Sequence, residues 1–371
     1  MMDCRIWLSE PGVVFNGGNC LKDLYSAVSA WKRPDDYRCH KTLLELENIA
    51  LDQIEENIEK VIARYGRHRI AICVGSCDNG TDMSLPAHRK FFEKDEFPAE
   101  YRFSQQRPYI PANVISERFG LPGFSAAYST ACASSASAII KGCQLIAAGF
   151  CDAAVVGGVD IASPVVTAGF SSLDSVSAHG TNPFSKNRDG ITLGDGAAFF
   201  VISRDDMWDS GIQLLGYGES CDACHMTAPD ANGIHAGEAM IRALSKAGLC
   251  AGEIDYINLH GTGTRLNDLM EGNALKRVFS DKIPPCSSTK PVTGHTLGAA
   301  GALELAICFS LLADTEDGVL LPVHIWDGMP DAEIPVMQFV KKGSAGKVNI
   351  CMSNSFAFGG CNVSLIIGRM N

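Results

Sequence analysis

One cysteine stands in a run of small residues. Cys132 lies in the stretch YSTACASSASA at 128–138, and an apolar, Gly- and Ala-rich stretch with one charge, Lys141, follows it to residue 149. This pattern predicts a strand end, a tight turn and a largely buried helix that begins at or just before the cysteine. The first N–H groups of a helix lack intrahelical partners and its dipole is positive there, which favours the nucleophilic thiolate. Taken alone, the stretch also fits a small apolar cysteine in a core helix.

Two histidines lie in loops that are rich in glycine and threonine. His260 opens the stretch HGTGT where an apolar strand is predicted to end. His295 closes the stretch KPVTGH just before a second apolar helix, which carries Glu304. Histidine often transfers protons in catalysis, and a catalytic cysteine and its histidines are often far apart in sequence. A lone histidine is more often structural, but two of them with a candidate cysteine favour nucleophilic catalysis.

A third candidate feature is the stretch NSFAFGG at 354–360. It is predicted to form a glycine turn after a strand. Glycine permits backbone conformations that direct an N–H group into a cavity, where the group can stabilise developing negative charge.

The elements that must position these residues alternate between strands and helices. The predicted strands are 69–75, 152–158, 197–202, 212–218, 254–259, 348–352 and 363–367, and the predicted helices are 42–65, 113–119, the helix after Cys132, 234–247, 267–279 and 298–313. This alternation predicts an α/β architecture. Each half has strands around one small-residue buried helix, which indicates a duplication into halves 1–203, with the cysteine, and 204–371, with both histidines. Residues 1–37 show little pattern, and the polar, irregular stretch 76–110 is predicted to be a lid or a partner contact.

Composition narrows the class of protein. The 371 residues are 46% hydrophobic and carry a formal net charge of −11, which argues against nucleic acid as a general partner. The 15 cysteines are scattered, the N-terminus lacks the plan of a signal peptide, and there is no apolar run of membrane-spanning length. We therefore expect free thiols and a cytoplasmic location.

Four separated motifs, in this order, resemble those of the elongating β-ketoacyl-[acyl-carrier-protein] synthases, a family of condensing enzymes. They are TAC at 130–132, HGTGT at 260–264, KPVTGH at 290–295 and NSFAFGG at 354–360, with NPFSKNRDG at 182–190 as a further family-like segment. The resemblance covers about residues 70–371. It implies the thiolase fold, in which two related halves form five layers, α-β-α-β-α, and two chains form a dimer.

The resemblance also implies a reaction, the decarboxylative condensation of malonyl-acyl carrier protein with an acyl group held as a thioester on Cys132. His260 and His295 would hold the malonyl thioester carbonyl, promote loss of CO2 and stabilise the enolate. Lys290 and Glu304 would support the histidines. No metal or organic cofactor is expected, because the substrates are carried as thioesters on the phosphopantetheine arm of the carrier protein.

Further positions follow from the same resemblance. Backbone N–H groups of Cys132 and Phe358 would form the oxyanion hole, and Phe358 would also gate the acyl pocket. The expected substrate-binding residues are Thr262, Thr264, Phe356, Asp222 and Thr227.

Three features depart from the family pattern. The glycine-rich motif of the first strand is not recognisable in residues 1–20, Ala357 replaces a glycine, and Cys361 replaces a threonine. These changes point to a specialised pathway, such as polyketide or aryl-polyene synthesis, rather than housekeeping fatty acid synthesis.

The expected partners are an acyl carrier protein and a second ketosynthase-like chain, either identical or related. Because carrier proteins are acidic and this chain is acidic too, docking requires a local basic patch. The candidates are Arg188, Arg38 and Lys41, with Arg64, Arg67 and Arg69 as a second group.

Three other interpretations of the sequence are a thiolase, a non-catalytic chain-length factor and a haem-binding protein. A thiolase would need a second reactive cysteine near the C-terminus, where Cys351 and Cys361 lie. A non-catalytic chain-length factor would lack the cysteine that is present here. The stretch CDACH at 221–225 matches the spacing for haem attachment, but no export signal accompanies it.

Overall fold

The computed structural model describes residues 5–78, 81–314 and 318–369. Its helices are α1 (Leu21–Ser29), α2 (Leu43–Tyr65), α3 (Thr81–Lys94), α4 (Ile110–Phe119), α5 (Ser134–Ala147), α6 (Pro164–Ser172), α7 (Ile234–Ala247), α8 (Arg265–Phe279), α9 (Lys290–Thr293) and α10 (Ala300–Ala313). Its strands are β1 (Ile6–Leu8), β2 (Gly12–Phe15), β3 (Ile70–Gly75), β4 (Ser125–Tyr128), β5 (Ala153–Asp160), β6 (Gly196–Ser203), β7 (Gln213–Cys221), β8 (Tyr256–Asn258), β9 (Cys286–Ser287), β10 (Val319–Leu320), β11 (Ala345–Gly346), β12 (Ile350–Phe356) and β13 (Cys361–Gly368).

The strand pairing repeats itself. In the first half the order is β4-β3-β5-β6-β2. The first three strands are parallel to one another, and the β5/β6 and β6/β2 pairs are antiparallel. In the second half the order is β9-β8-β12-β13-β7, with the same directions. Strand β1 pairs with both β6 and β7 and joins the two sets into one sheet. The predicted duplication is therefore confirmed. The division at 203/204 stays a prediction; it falls between the end of β6 and the start of β7.

Helices separate and cover the two sets of strands. Helices α5 and α10 pack against each other in the middle, α5 against β3 and β5 and α10 against β12. Helix α2 covers β2 and β6 on one outer side, and α7 covers β7 and β13 on the other. The result is a layered α/β arrangement with its two apolar helices at the centre.

The two central helices begin in the same way. A single 3-10 turn, Ala131–Ala133, precedes α5, and another, Leu297–Ala299, precedes α10. Cys132 therefore lies in the turn, two residues before the helix that the sequence predicted to start at or just before it. The burial of nearly every residue of α10 explains its lack of a polar face.

Some predictions of local structure were accurate and others were wrong. Helix 42–65 matches α2, whose start is fixed by a capping box between Thr42 and Glu45. The stretch 76–110, predicted as irregular, contains α3, where Pro86 and a low overall hydrophobicity hid the helix. Residues 1–37 form β1, β2 and α1. Residues 354–356, predicted as part of a turn, belong to β12, and the turn itself is only 358–360.

Among the helices in the described ranges, none is long and apolar enough to span a membrane.

Candidate active site

Cys132 and His295 face each other across the two halves. Cys132 Sγ lies 3.0 Å from His295 Nε2, and both side chains are buried, with 6% and 2% of their surface exposed. The turn that carries the cysteine is held by Ser134, whose hydroxyl donates to the carbonyl of Ala131 and accepts the N–H of Thr130. Ala131 has a φ of +48°, a conformation that residues with a side chain rarely adopt. This backbone strain indicates a turn built to present the next residue, Cys132.

Burial sets the protonation of this pair. It raises the pKa of the Cys132 thiol to about 12, against the opposing effect of the Lys290 charge. Burial also lowers the pKa of His295 well below its ordinary value, and Lys290 lowers it further. The resting pair is therefore a neutral thiol beside a neutral imidazole, so burial outweighs the thiolate preference that the helix start suggested. The imidazole can accept the thiol proton when a substrate arrives.

His260 is held from its other side by Lys290. The ammonium of Lys290 lies 3.4 Å from His260 Nδ1, and it also donates to the His260 carbonyl and to the carboxylate of Glu304. Burial, and then the charge of Lys290, lower the pKa of His260 well below its ordinary value, so the ring is neutral. A cation at Nδ1 makes that atom the acceptor, which leaves the proton on Nε2. His260 is thus prepared to donate a hydrogen bond from Nε2.

Glu304 completes the buried group. Burial raises its pKa to about 7, and Lys290 acts in the opposite direction. The rings of His260 and His295 lie 5.4 Å apart, edge to face, and Phe356 lies against His260 at 5.9 Å. The structure therefore brings together the cysteine, both histidines, the lysine and the glutamate that the sequence singled out.

Two acids in α8 hold the His260 loop, and sequence reasoning missed their role. Glu271 accepts the N–H groups of His260 and Gly261 at 2.9 and 2.8 Å. Asp268 accepts the N–H groups of Gly263 and Phe184. The sequence predicted that this helix begins at residue 267, but α8 begins at Arg265 with Thr264 before it. The available signal was an i,i+3 pair of acids on one face of a helix beside the HGTGT loop.

A cavity of about 380 Å³ opens above Cys132. Its lining includes both histidines, Phe356 and Phe358, and the predicted substrate-binding residues Thr262, Thr264 and Thr227. The hydroxyls of Thr262 and Thr264 lie 3.0 Å apart and face the same space.

A second cavity, of about 680 Å³, meets the first at Cys132 and Phe358. Leu297 and Val166 give it apolar walls, and Ser129, Thr130 and Cys77 add polar atoms. Phe358 packs against Phe170 with ring centroids 5.7 Å apart, and both rings line both cavities. Phe358 thus lies where the resemblance places a gate.

Asp222 is absent from the lining of both cavities. Its carboxylate accepts the N–H groups of Cys224 and Asp230 and lies against Gly360. Its position fits a residue that shapes the 222–230 loop rather than one that touches a ligand.

The predicted docking residues differ in exposure and in ion pairing. Arg188 cannot serve as a surface charge, because its side chain is only 2% exposed and donates to Asp331 and to the carbonyl oxygens of Ser185 and Arg265. The family-like segment 182–190 that carries it is folded against the C-terminal half, where Ser185 also donates to Asp327. Arg38 is partly exposed and is paired with the buried Asp195. Lys41 is exposed just before α2.

The second basic group lies at the other end of α2. Arg64 pairs with Asp205 and Arg69 with Asp152, while Arg67 is exposed. Two of these three charges are therefore already matched by carboxylates.

The duplicated sheet with its two buried central helices places the chain in the class of thiolase-fold proteins. The chain belongs to the beta-ketoacyl synthase family: the model of the N-terminal domain matches residues 42–207, and that of the C-terminal domain matches residues 212–322. The predicted family and fold are confirmed.

Individual relatives agree with this assignment. The chain is 35% identical over 275 residues to a putative mitochondrial 3-oxoacyl-[acyl-carrier-protein] synthase of Schizosaccharomyces pombe, a match that covers 69% of this chain and 64% of the relative, less than two thirds of its length. It is 33% identical over 346 residues to 3-oxoacyl-[acyl-carrier-protein] synthase 2 of Vibrio cholerae, covering 88% and 80%. A chain in the solved complex of the ketosynthase ApeO with its chain length factor ApeC from Xenorhabdus doucetiae superposes with a TM-score of 0.89 at 35% identity, covering 99% and 98%.

Proposed function

We propose that this chain is a β-ketoacyl-[acyl-carrier-protein] synthase that elongates an acyl chain by decarboxylative condensation. The observation that carries this proposal is the 3.0 Å contact between Cys132 Sγ and His295 Nε2 at the junction of two cavities. A junction of this kind suits a nucleophile that must meet one substrate on each side.

The first half-reaction loads the cysteine. The thiol of Cys132 attacks the thioester carbonyl of the acyl carrier while its proton passes to His295. The C–S bond to the carrier breaks, and the carrier thiol leaves with that proton. The N–H groups of Cys132 and Phe358 are the proposed donors to the oxyanion, and one such donor contributes about 10²–10³ in rate.

The second half-reaction makes the carbon–carbon bond. Once Cys132 is acylated, no thiol faces Nε2 of His295, and the neutral ring can carry its one proton on Nε2. Nε2–H of His260 and Nε2–H of His295 then donate to the malonyl thioester oxygen, where negative charge develops as the C–C bond to the departing CO2 breaks. The resulting enolate attacks the acyl carbonyl on Cys132 and releases the thiolate. Thr262 and Thr264 are the proposed contacts for the phosphopantetheine arm that carries the substrate.

A second ketosynthase-like chain is the proposed partner besides the carrier protein. Helix α6 borders the second cavity through Val166, Gly169 and Phe170, yet the helix has no buried residue. Strand β4 ends the sheet. An uncovered apolar helix and a free sheet edge beside a substrate cavity favour closure by another subunit. The likeness to a chain of a ketosynthase–chain length factor complex supports a related subunit and a polyketide-type pathway.

The alternatives receive less support. Neither Cys351 nor Cys361 lines the two cavities, so no C-terminal cysteine of the described residues lies where a thiolase would need it; the cysteine that joins Cys132 in the cavity walls is Cys77, in the N-terminal half. A non-catalytic chain length factor does not require the Cys132–His295 contact that is present here.

The proposal is tested by incubating the protein with a panel of acyl carriers and malonyl carrier and following product by mass spectrometry. We expect an acyl adduct on Cys132 with one carrier alone and a β-ketoacyl carrier when both are present. A protein that forms neither, with any candidate partner subunit added, would contradict the proposed function.

A further inference from the structure

Two cysteines lie directly opposite each other at the mouth of the active site. Cys221 is the last residue of β7, Cys361 is the first residue of β13, and the two are partners in the antiparallel register. The N–H of Asp222 donates to the carbonyl of Gly360 at 3.1 Å, a bond that flanks the pair rather than joining it. Cys221 and Cys361 are thus a non-hydrogen-bonded pair, in which opposite Cα atoms are about 4.5 Å apart and the side chains share one face. Disulfides form at Cα separations of about 4.4–6.8 Å.

The pair joins two loops that border the cavity. The turn Phe358–Gly360 directly precedes Cys361, and the loop 222–230 directly follows Cys221. The two loops also contact each other, because the N–H of Gly359 donates to the carbonyl of Met226 at 2.8 Å. A movement of the turn backbone that carries Phe358 away from Cys132 would therefore change the contact between these loops.

We propose that Cys221 and Cys361 form a reversible disulfide that fixes the Phe358 turn against the 222–230 loop and restricts entry of acyl groups to Cys132. The effect on acylation rests on the proposed function, whereas the formation of the disulfide does not. The sequence feature that raised the question, a cysteine where the family has threonine, acquires a role from its cross-strand partner.

The chemistry needs a small disulfide such as oxidised glutathione as the oxidant. Cys221 is the exposed thiol of the pair, so it reacts first. Its thiolate attacks one glutathione sulfur, the S–S bond breaks, and glutathione leaves as a thiolate that takes up a proton. The Cys361 thiol loses its proton to solvent, attacks Cys221 Sγ and expels the second glutathione. Two protein thiols and one small disulfide thus become one protein disulfide and two small thiols.

The two cysteines are unequally reactive, which orders these steps. Cys361 is half-buried behind the turn, and burial raises its pKa, with the neighbouring Cys221 adding to the increase. Cys361 is therefore a poor first nucleophile and a suitable resolving thiol once Cys221 carries the glutathione.

The test treats the full chain with mixtures of oxidised and reduced glutathione, blocks the remaining thiols, digests the protein and maps disulfides by mass spectrometry. We expect a peptide that links Cys221 to Cys361 with the loss of two hydrogens. The link should vanish in Cys221→Ser and Cys361→Thr and persist in Cys224→Ser, which removes the neighbouring exposed thiol. A link from Cys221 to Cys224, or glutathione adducts without any link, would overturn the proposal.

The acylation rate of Cys132 supplies the second readout. Oxidation should slow it about tenfold or more, because lid movements can limit turnover, and reductant should restore it. Cys361→Thr should show no such slowing, and this control also accounts for any oxidation of Cys132 itself. Equal slowing in Cys361→Thr would overturn the effect on entry. If the reduced protein forms no acyl adduct at all, the proposed function fails, while the linked peptide still decides whether the cysteine pair is redox-active.

Discussion

The turn at Ala131–Ala133 and the turn at Leu297–Ala299 precede the two central helices, and their first residues have nearly equal φ angles of +48° and +50°. A 14-residue helix follows each of them. In the first turn the middle residue is Cys132, which faces two cavities. In the second it is Gly298, whose N–H donates to the buried carboxylate of Asp160 at 2.7 Å.

The two turns differ in what lies in front of them. A side chain at 298 has no room, since a Cβ there would lie 2.5 Å from Asp160 Oδ2 and 3.0 Å from the backbone nitrogen of Cys77. Asp160 also accepts hydrogen bonds from the hydroxyl of Ser76 and the N–H groups of Cys77 and Asp78. The same local backbone therefore presents a nucleophile in one half and ties together the fold in the other. The comparison teaches that the surroundings, rather than the turn itself, make Cys132 reactive.

Adding a side chain at Gly298, in the turn that is closed by Asp160, should have the largest effect on stability. Gly298→Ala puts a methyl group into contact with Asp160 and with backbone atoms, and overpacking of this kind costs roughly 1–3 kcal/mol. Denaturant unfolding measures the loss. Gly252→Ala is the matched control, because nothing lies within 4 Å of its added Cβ. Equal stability of the two variants would mean that the second turn is not closed as described.

Removing the charge behind His260 should affect the decarboxylation half-reaction most. In Lys290→Met nothing holds Nδ1 of His260 as the acceptor, so the ring can turn its lone pair toward the malonyl oxygen. Loss of a partner that fixes a functional imidazole costs about 10–100-fold, and we expect that drop in CO2 release. Acylation of Cys132, followed by intact mass, should continue.

The single variant also leaves the buried carboxylate of Glu304 without its ion-pair partner. The double variant Lys290→Met/Glu304→Gln is the control, because it removes both charges. If CO2 release stays at the wild-type rate in both variants, the lysine has no part in setting the tautomer.

Asp160, which contacts the turn at Gly298, should make the free energy of unfolding depend on pH. Burial raises its pKa from 3.8 to about 7, despite the N–H donors that favour the anion. The folded protein holds this proton at pH values where the unfolded chain has released it, so the free energy of unfolding falls as the pH rises through that range. The fall is roughly 1 kcal/mol per pH unit between about pH 5 and 7.

Asp160→Asn removes that contribution and should flatten the slope, while lowering stability at every pH because its NH2 group meets N–H donors. Unfolding at several pH values checks both effects. The slope that remains is the sum of two opposing sets of buried groups. Burial raises the pKa of Glu271 to about 8 and of Glu304 to about 7, and also raises those of Glu47 and Asp268, which adds to the fall of stability with pH. Burial lowers the pKa values of His260, His295 and His324, which opposes that fall below about pH 6.5. An unchanged slope in the variant would show that Asp160 is ionised throughout.

The smallest effect is expected at the surface. Lys41 is exposed, and its segment packs beside the KPVTGH stretch, where the Tyr37 hydroxyl donates to the Pro291 carbonyl. Lys41→Glu should raise the KM for an acidic carrier a few-fold at low salt, because rim charges act mainly on encounter. Lys282→Glu, exposed beyond the C-terminal end of α8, is the control. Equal KM values for the two variants would place docking elsewhere.

Most of the site could be predicted from the sequence because its reactive residues lie in short local motifs. Cys132, His260 and His295 each lie in a short stretch whose composition suits a turn or a strand end, and the structure brings the three together. The same reasoning failed for Arg188, since nothing local shows that Asp331 lies beside it. It also failed for Glu271, whose partners are backbone N–H groups of a loop ten residues away.

The fold shows the same limits. The long, strongly periodic α2 was predicted within one residue at its start, whereas β1 and β2, with three and four residues, are too short for alternation to be seen. The helix start at Cys132 was misplaced because a 3-10 turn has no composition of its own. Composition already indicated that the two small-residue helices correspond, whereas the equal turns before them became visible only from the backbone angles.

The division of labour between Cys132 and the histidines is tested by measuring CO2 release and acyl-enzyme mass in parallel for Cys132→Ala and His295→Ala. Cys132→Ala should form no acyl-enzyme and no condensation product, yet it should still release CO2 from malonyl carrier. His295→Ala should still become acylated, though more slowly because the Cys132 thiol has lost its proton acceptor, while CO2 release falls by about 10²–10³, the effect of one lost donor. Condensation by Cys132→Ala through another cysteine, or CO2 release by His295→Ala at the wild-type rate, would contradict the account.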